Sequence, residues 1–397
     1  KILTMTDSTK AAATILTAET VPDYLSENSE KIGVFSPDAK LTAKAILGGN
    51  VNYAFCATEE STNTTIFVKQ APEFVAIFGP DGLPLTSERM KQEIAVFTEW
   101  KVMLGPELCA KYLPNIYLFD TKMMVFVMEF LDQFTLLDHD LVDQGVVDSA
   151  IGKGLGEFMG KTHAATHSSI VSSSRAAYLK KSFENRPMRD IQVEYVFTKC
   201  YKEATKEQWA GTKVDEAFMK EVEILKAAYA CDGDGNDNNL CLCHGDLHPG
   251  SVMVKGGDVK VIDPEFTVYG PPGLDVGSLL SGYVLGAVHQ AYSDNAKAVT
   301  SISAGVEEIW DSYVKEMKAG GISDEMMAKI EAETVGFTVA EVCRTALEFA
   351  GGRKWLQFED ADVKAKSRKA ALVIVEKCMT NRHENGMAVL LGCLKEL

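Results

Sequence analysis

The chain has 397 residues, 46% of them hydrophobic, which is enough to bury a large core and to hold two domains or lobes. No uncharged apolar run nears the roughly 18 residues that a membrane span needs. A formal charge of −16, with no basic run longer than a few residues, leaves no electrostatic footprint for a nucleic-acid partner.

Nine cysteines, an odd number, are scattered through apolar segments such as those around Cys109, Cys343 and Cys378, which points to a reducing compartment: the cytoplasm, or an organelle stroma. The first residue is Lys1 rather than Met, which leaves room for an earlier targeting segment. The Thr/Ala-rich, base-poor residues 1 to 20 show no signal-peptide pattern and do not settle the matter.

Residues 20 to 32 read as a short helical or extended entry, and a β pattern begins at Ala43. Gly48 and Gly49 lead into Asn50, Val51, Asn52, Tyr53, Ala54 and Phe55; a polar turn, Glu59 to Thr64, then leads into Thr65 to Lys69. This predicts strand, turn, strand. A glycine pair at the entry lets backbone amides approach phosphate oxygens without Cβ interference, and Lys69, ending an apolar strand, is placed to reach phosphates.

Ser87 to Leu104 reads as an amphipathic helix with Ser87 as its cap and Met90, Ile94, Phe97 and Lys101 near one stripe. Glu93 is the expected partner of Lys69, with Glu88 as the competing choice. Met123 to Phe130 is the next strand. It runs into a polar stretch at Asp132 to Asp138 that reads as a hinge between lobes, where backbone near Glu129 and Leu131 can meet an adenine edge.

From Gly145 helical patterns dominate, the clearest being Gly152 to Thr166; His163 and His167 read as core or helix-end histidines. The segment CDGDGNDNN at 231 to 239 has the look of a calcium loop, but its sixth position is Asp237 and its twelfth Cys243, where Gly and Glu are required, so an acidic surface loop is expected. Cys241, Cys243, His244 and His248 lack a second Cys pair and read as strand cysteines beside a loop, not as a zinc site.

The most informative stretch is CHGDLHPGSVMVKGGDVKVIDPEFTVYGPPGLD, Cys243 to Asp275. Asp246 leaves an apolar run, Leu240 to Cys243, and the alternating Val259, Lys260, Val261, Ile262 ends in Asp263, Pro264, Glu265. Read as two adjacent strands, these runs present Asp246 and Asp263 at the same end. Phosphoryl transfer needs one carboxylate to accept the proton of the attacking hydroxyl and others to hold Mg²⁺ across the phosphates. A lone HGD is a polar turn in many chains; HGDLHPGS followed by VIDPEF and GPPGLDVG carries much more.

These residues resemble the methylthioribose kinases, within the protein-kinase-like superfamily that also holds aminoglycoside phosphotransferases and choline kinases. The likeness runs over roughly residues 40 to 380. Ser251 stands where relatives usually place a metal-binding Asn, and DPE replaces the kinase DFG. GGNVNYAF is similar to that family's phosphate loop, FVKQA to its lysine strand, and LTSERMKQE to its helix with the lysine-pairing glutamate.

The resemblance implies an α+β, bilobal fold: a small β-rich N-lobe over 1–130 that binds nucleotide, with its hinge at about 128–132, and a larger, mainly helical C-lobe over 131–397. It implies Asp246 as general base, Asp263, Glu265 and Ser251 as metal ligands, Lys69 on the phosphates and Glu93 as its anchor. The cofactors are then ATP and Mg²⁺, the product 5-methylthioribose 1-phosphate in methionine salvage, and the assembly a homodimer.

Two positions depart from the family. Where it places a tryptophan in the loop before the helix, this chain has Leu83; of its paired sugar-gripping arginines, Arg344 matches the first and Thr345 replaces the second. The longer GGRKWLQFED segment brings in Arg353, Lys354 and Trp355. Losing a planar cation removes a bidentate grip. The acceptor is therefore open to another sugar or an amino alcohol, and a kinase fold recruited as a binding or structural subunit is the alternative outside enzymology.

Overall fold

The computed structural model describes residues 14–47, 51–231, 238–351 and 353–397. Gly48, Gly49 and Asn50 of the expected phosphate loop lie outside them. The chain divides into two compact units: one formed by the described residues up to Lys91 with Asn115–Asp132, the other by Gln92–Pro114 with Gln133–Leu397. Among the described residues no helix is long and apolar enough to cross a membrane.

The first unit is built on a five-stranded sheet, β1 (Leu41–Ala45), β2 (Tyr53–Glu59), β3 (Thr65–Gln70), β4 (Ile116–Asp120) and β5 (Val125–Glu129), in the order β1-β2-β3-β5-β4 with every pairing antiparallel. Alternation puts Phe55, Ala57, Ile66, Val68, Val125 and Val127 on one face, where they pack with Val21, Leu25 and Ile32 of two short N-terminal helices. A register of Ala54 opposite Lys69 opposite Phe126 leaves the lysine on a central strand, its Nζ 5.6 Å from the Phe126 ring centroid.

The helix Arg89–Tyr112 is two segments joined across Gly105, whose φ of 71° precedes Pro106. It starts two residues later than expected. Ser87 does not cap it, because its hydroxyl and amide both go to Glu73, at 2.6 and 3.1 Å. Its buried stripe is Met90, Glu93, Val96, Phe97, Trp100 and Leu104, while Lys101 is exposed.

The second unit is mainly helical, with long helices at Ser149–Thr166, Gly273–Ala291, Ala296–Ala319, Asp324–Ala346 and Ala361–Lys395. Two small sheets interrupt them. β7 (Cys241–Cys243) pairs with β10 (Val268–Gly270), and β6 (Thr135–Leu136), β8 (Val252–Lys255) and β9 (Asp258–Val261) form the other in the order β6-β8-β9. The runs leading to Asp246 and Asp263 are therefore not adjacent strands. The short chain from Val252 to Val261 closes its own hairpin, and β7 takes its partner from after Glu265.

Close crossings shape this unit. A Cβ on Gly156 would lie 2.5 Å from the Ile309 carbonyl oxygen and 2.9 Å from the Tyr313 nitrogen, so the first of these long helices can meet Ala296–Ala319 only where it lacks a side chain. The loop expected to be acidic surface lies largely outside the described residues, but its last residue, Asn239, is buried and donates to Glu333 at 2.7 Å.

Candidate active site

Asp246 owes its position to backbone locking of the two residues before it. The amides of His244 and Gly245 both donate to the Asp275 carboxylate, at 2.7 and 2.9 Å, at the start of the helix Gly273–Ala291. Gly245 has φ +89°, and a Cβ there would sit 1.9 Å from the Phe266 carbonyl oxygen, so no other residue fits without moving that backbone. Gln192 Nε2 donates to the Gly245 carbonyl at 2.9 Å.

His244 contributes a bridge. Its Nδ1 accepts from the Asp246 amide at 3.3 Å, which fixes the tautomer in which Nε2 donates to the Ile262 carbonyl at 2.9 Å. The Ile262 amide donates in turn to the Ser251 carbonyl at 3.0 Å. The two sheets are thus tied at the loop although their strands do not pair. The His244 ring also stacks on Trp100, centroids 6.1 Å apart.

Ser251 is buried, and its hydroxyl donates to the Asp246 carbonyl at 3.1 Å. The Asp246 side chain keeps about a fifth of its surface exposed, with His248 Nε2 3.6 Å from its Oδ2. Burial pushes the Asp246 carboxyl above its ordinary value; Arg353 opposes that shift and Glu341 adds to it. Burial drives the His248 imidazole down to about 3, so it is neutral, and Arg353 works in the same direction.

Asp263 and Glu265 come together with Glu93: one carboxylate oxygen from each lies within 4.8 Å of the others, Glu93 and Glu265 buried and Asp263 exposed. Asp263 holds a left-handed φ of 65°, a conformation that a short acidic side chain tolerates better than most. Asn185 Nδ2 fixes the backbone beside it through the carbonyls of Glu265 and Thr267, at 2.9 and 3.0 Å. Three hard carboxylates are a donor set suited to a hard divalent cation such as Mg²⁺.

Arg344 Nε donates to Glu341 Oε2 at 2.7 Å, and an Arg353 guanidinium nitrogen lies 3.6 Å from the same oxygen. Thr345 does not stand in for a cation. Its hydroxyl is turned to its own helix, donating to the Glu341 carbonyl at 3.0 Å. Burial alone would raise the Glu341 carboxyl, but Arg344 and Arg353 hold it below its ordinary value.

Several expected residues belong to the first unit. Lys69 is buried on β3, and Leu83 is about half exposed. Asn52 Oδ1 accepts from Arg89 at 2.9 Å; this buried guanidinium also binds the carbonyls of Val51, Pro72, Leu85 and Thr86. Glu129 Oε2 accepts from the Asn115 amide at 3.1 Å, and Leu131 is buried. Glu88 is half-buried and paired with Lys91, at 2.6 Å.

Three buried charged positions escaped the sequence reading: Arg89, Asp275 and Glu341. Asp275 had a signal, since it closes the GPPGLD motif and an acidic residue in a first helical turn can bind preceding amides. The cysteine pair has a different neighbour from the one weighed in the sequence. His163, not His244 or His248, lies beside Cys241 and Cys243, but its two nitrogens are engaged by Asp275 at 3.1 Å and Tyr313 at 3.2 Å.

Known proteins share this arrangement of sequence. Methylthioribose kinase of Escherichia coli O45:K1 (strain S88 / ExPEC) is 26% identical over 415 residues, covering 96% of this chain and 97% of that one. Methylthioribose kinase of Bacillus velezensis is 26% identical over 376 residues, covering 89% and 90%. Among solved structures, the choline kinase from Cryptosporidium parvum Iowa II matches with a TM-score of 0.53 at 14% identity, covering 95% of this chain and 100% of that one, a likeness of fold. The model of the phosphotransferase enzyme family matches residues 57–300, well over half of the sequence, and the chain belongs to that family.

Proposed function

We propose that the protein is an ATP- and Mg²⁺-dependent kinase that phosphorylates the anomeric hydroxyl of 5-methylthioribose, giving the 1-phosphate. The observation that carries the reading is Asp246: a partly exposed carboxylate, fixed by amides locked onto Asp275, in the same unit as the Glu93, Asp263 and Glu265 cluster. The full-length likeness to methylthioribose kinases supports the acceptor.

Asp246 orients the acceptor hydroxyl and takes its proton as the oxygen bonds to the γ-phosphorus and the bond to the ADP oxygen breaks. Asp263, Glu265 and Ser251 would hold the metal ion, which would supply neutralisation of the charge on the phosphates. Lys69 meets the phosphates. Backbone at Glu129 and Leu131 meets adenine. Arg344 contacts the acceptor.

Incubation of purified protein with Mg-ATP and methylthioribose, followed by detection of the phosphorylated sugar, tests the assignment. No product at high enzyme concentration removes methylthioribose as acceptor. Leu83 and Thr345 favour a second reading, the same chemistry on another sugar or an amino alcohol. A panel of such acceptors with one ADP-release readout separates the two.

A further inference from the structure

At the root of the loop that carries Asp246, the fold brings together three donors that lie far apart in the chain. Cys241 and Cys243 stand two residues apart on β7, so their side chains leave the same face of the strand, and their Sγ atoms are 3.5 Å apart. The third donor comes from the helix Ser149–Thr166. One ring nitrogen of His163 and the two sulfurs all lie within 4.8 Å of one another, and all three residues are buried. The helix is pinned to the sheet at its end: Thr166 Oγ1 accepts from the Leu242 amide at 3.0 Å, and the Tyr269 hydroxyl on β10 donates to the Thr166 carbonyl at 3.0 Å. The three donors therefore sit on fixed elements of a single unit.

His163 is oriented as a buried metal ligand is. Its Nε2 lies 3.1 Å from Asp275 Oδ2, and an ionised carboxylate only accepts, so a proton sits on Nε2. Nδ1 is then the nitrogen that can offer a lone pair, and its present partner is the Tyr313 hydroxyl at 3.2 Å. A carboxylate behind the imidazole is the usual way such a ligand is held and made more basic. The surroundings also favour positive charge. The carbonyl oxygens of Gly270 and Pro271 each lie 3.5 Å from the Cys243 sulfur. Burial alone would lower the His163 imidazole, but Cys241 and Asp275 hold it above its ordinary value.

We propose that His163, Cys241 and Cys243 form a site for a thiophilic divalent cation, zinc(II), separate from the carboxylate cluster of Glu93, Asp263 and Glu265. Sulfur and imidazole donors select zinc over magnesium, which takes oxygen. Two thiolates and a neutral imidazole around a divalent cation sum to zero charge, the condition that full burial tolerates; monovalent copper would leave a net negative charge there. Zinc held tetrahedrally by sulfurs at about 2.3 Å places them about 3.8 Å apart, so the cysteine pair needs only a small spreading from 3.5 Å. As the cation enters, the protons on the two sulfurs and on Nδ1 pass to solvent. The bound ion ties β7 to the helix Ser149–Thr166 and, through His163 and Asp275, to the amides of His244 and Gly245.

Metal analysis tests this on protein produced in zinc-supplemented medium and passed through gel filtration in excess Mg²⁺. About one zinc per chain is expected in wild type, with a tenfold or greater loss in Cys241→Ser and in Cys243→Ser. A chain with Cys56, Cys109 and Cys231 all changed to serine should keep its zinc. No zinc in wild type, equal zinc in the β7 variants, or loss in the triple variant overturns the proposal.

Were the β7 variants to fail to fold, wild type alone decides. Produced with cobalt(II) in place of zinc, it should show an intense near-ultraviolet thiolate-to-cobalt band and the visible bands of a tetrahedral ion. A cobalt spectrum with oxygen ligands only, as the carboxylate cluster would give, overturns the assignment. Neither readout involves turnover, so the outcome is independent of which acceptor the protein phosphorylates.

Discussion

Asp275 is the residue on which the loop carrying Asp246 hangs, accepting two amides and the imidazole of His163. Burial by itself would raise its carboxyl; the hydrogen bond and charge of His163, joined by His244 and the Gly245 amide, overcome this and hold it below the ordinary 3.8. A depressed carboxyl contributes stability that is complete above 3.8 and is lost as pH falls through the lower folded value. Asp275→Asn should therefore unfold well below wild type at pH 7, by about 3–5 kcal/mol. The gap between their unfolding midpoints should hold from pH 7 to 5 and narrow only in more acid solution. Asp246→Asn is the contrasting change. It should lower kcat by about 100- to 10,000-fold while leaving the unfolding midpoint nearly in place, since among the described residues the Asp246 side chain supports no buried amide.

At the scale of elements, the crossing of Ser149–Thr166 with Ala296–Ala319 is set by glycine. Alanine would gain about 1 kcal/mol in helix propensity at an exposed site, but at Gly156 its Cβ must push back the backbone of Ile309 and Tyr313. Gly156→Ala should destabilise by about 1–3 kcal/mol, and denaturant unfolding would show it as a lower midpoint at unchanged slope. At Gly152 the nearest atoms are 3.3 Å away, so the same change there should cost less. Elements with strong local signatures were legible in the sequence. The alternating strands Tyr53–Glu59, Thr65–Gln70 and Val125–Glu129 and the helix Ser149–Thr166 all fall within a few residues of their expected places. Strand pairing was not, because β7 binds a three-residue strand, Val268–Gly270, whose hydrophobic run is too short to announce itself. Asp246, Asp263 and Glu265 could be named from their motifs. Arg89 could not, since nothing in SERMKQE tells that its guanidinium turns back to five acceptors in earlier chain.

For the whole molecule, all nine cysteines are unpaired thiols, so no disulfide contributes to its stability. Cys200, Cys241, Cys243, Cys343, Cys378 and Cys393 are buried, and Cys56, Cys109 and Cys231 are partly exposed. Reductant should leave the unfolding midpoint unchanged. In thiol titration the three partly exposed cysteines should react in the native state and the other six only after denaturant is added. A midpoint that drops on reduction would show a covalent crosslink instead.

The stacking of Trp100 on His244 has an optical consequence. The chain has four tryptophans, and this one lies against the imidazole whose two nitrogens tie the Asp246 amide to the strand before Asp263. Any ligand that shifts that imidazole changes the polarity and quenching felt by a single indole. Replacing the other three tryptophans would leave an intrinsic fluorophore reporting on the loop in real time, with no dye attached and no turnover required.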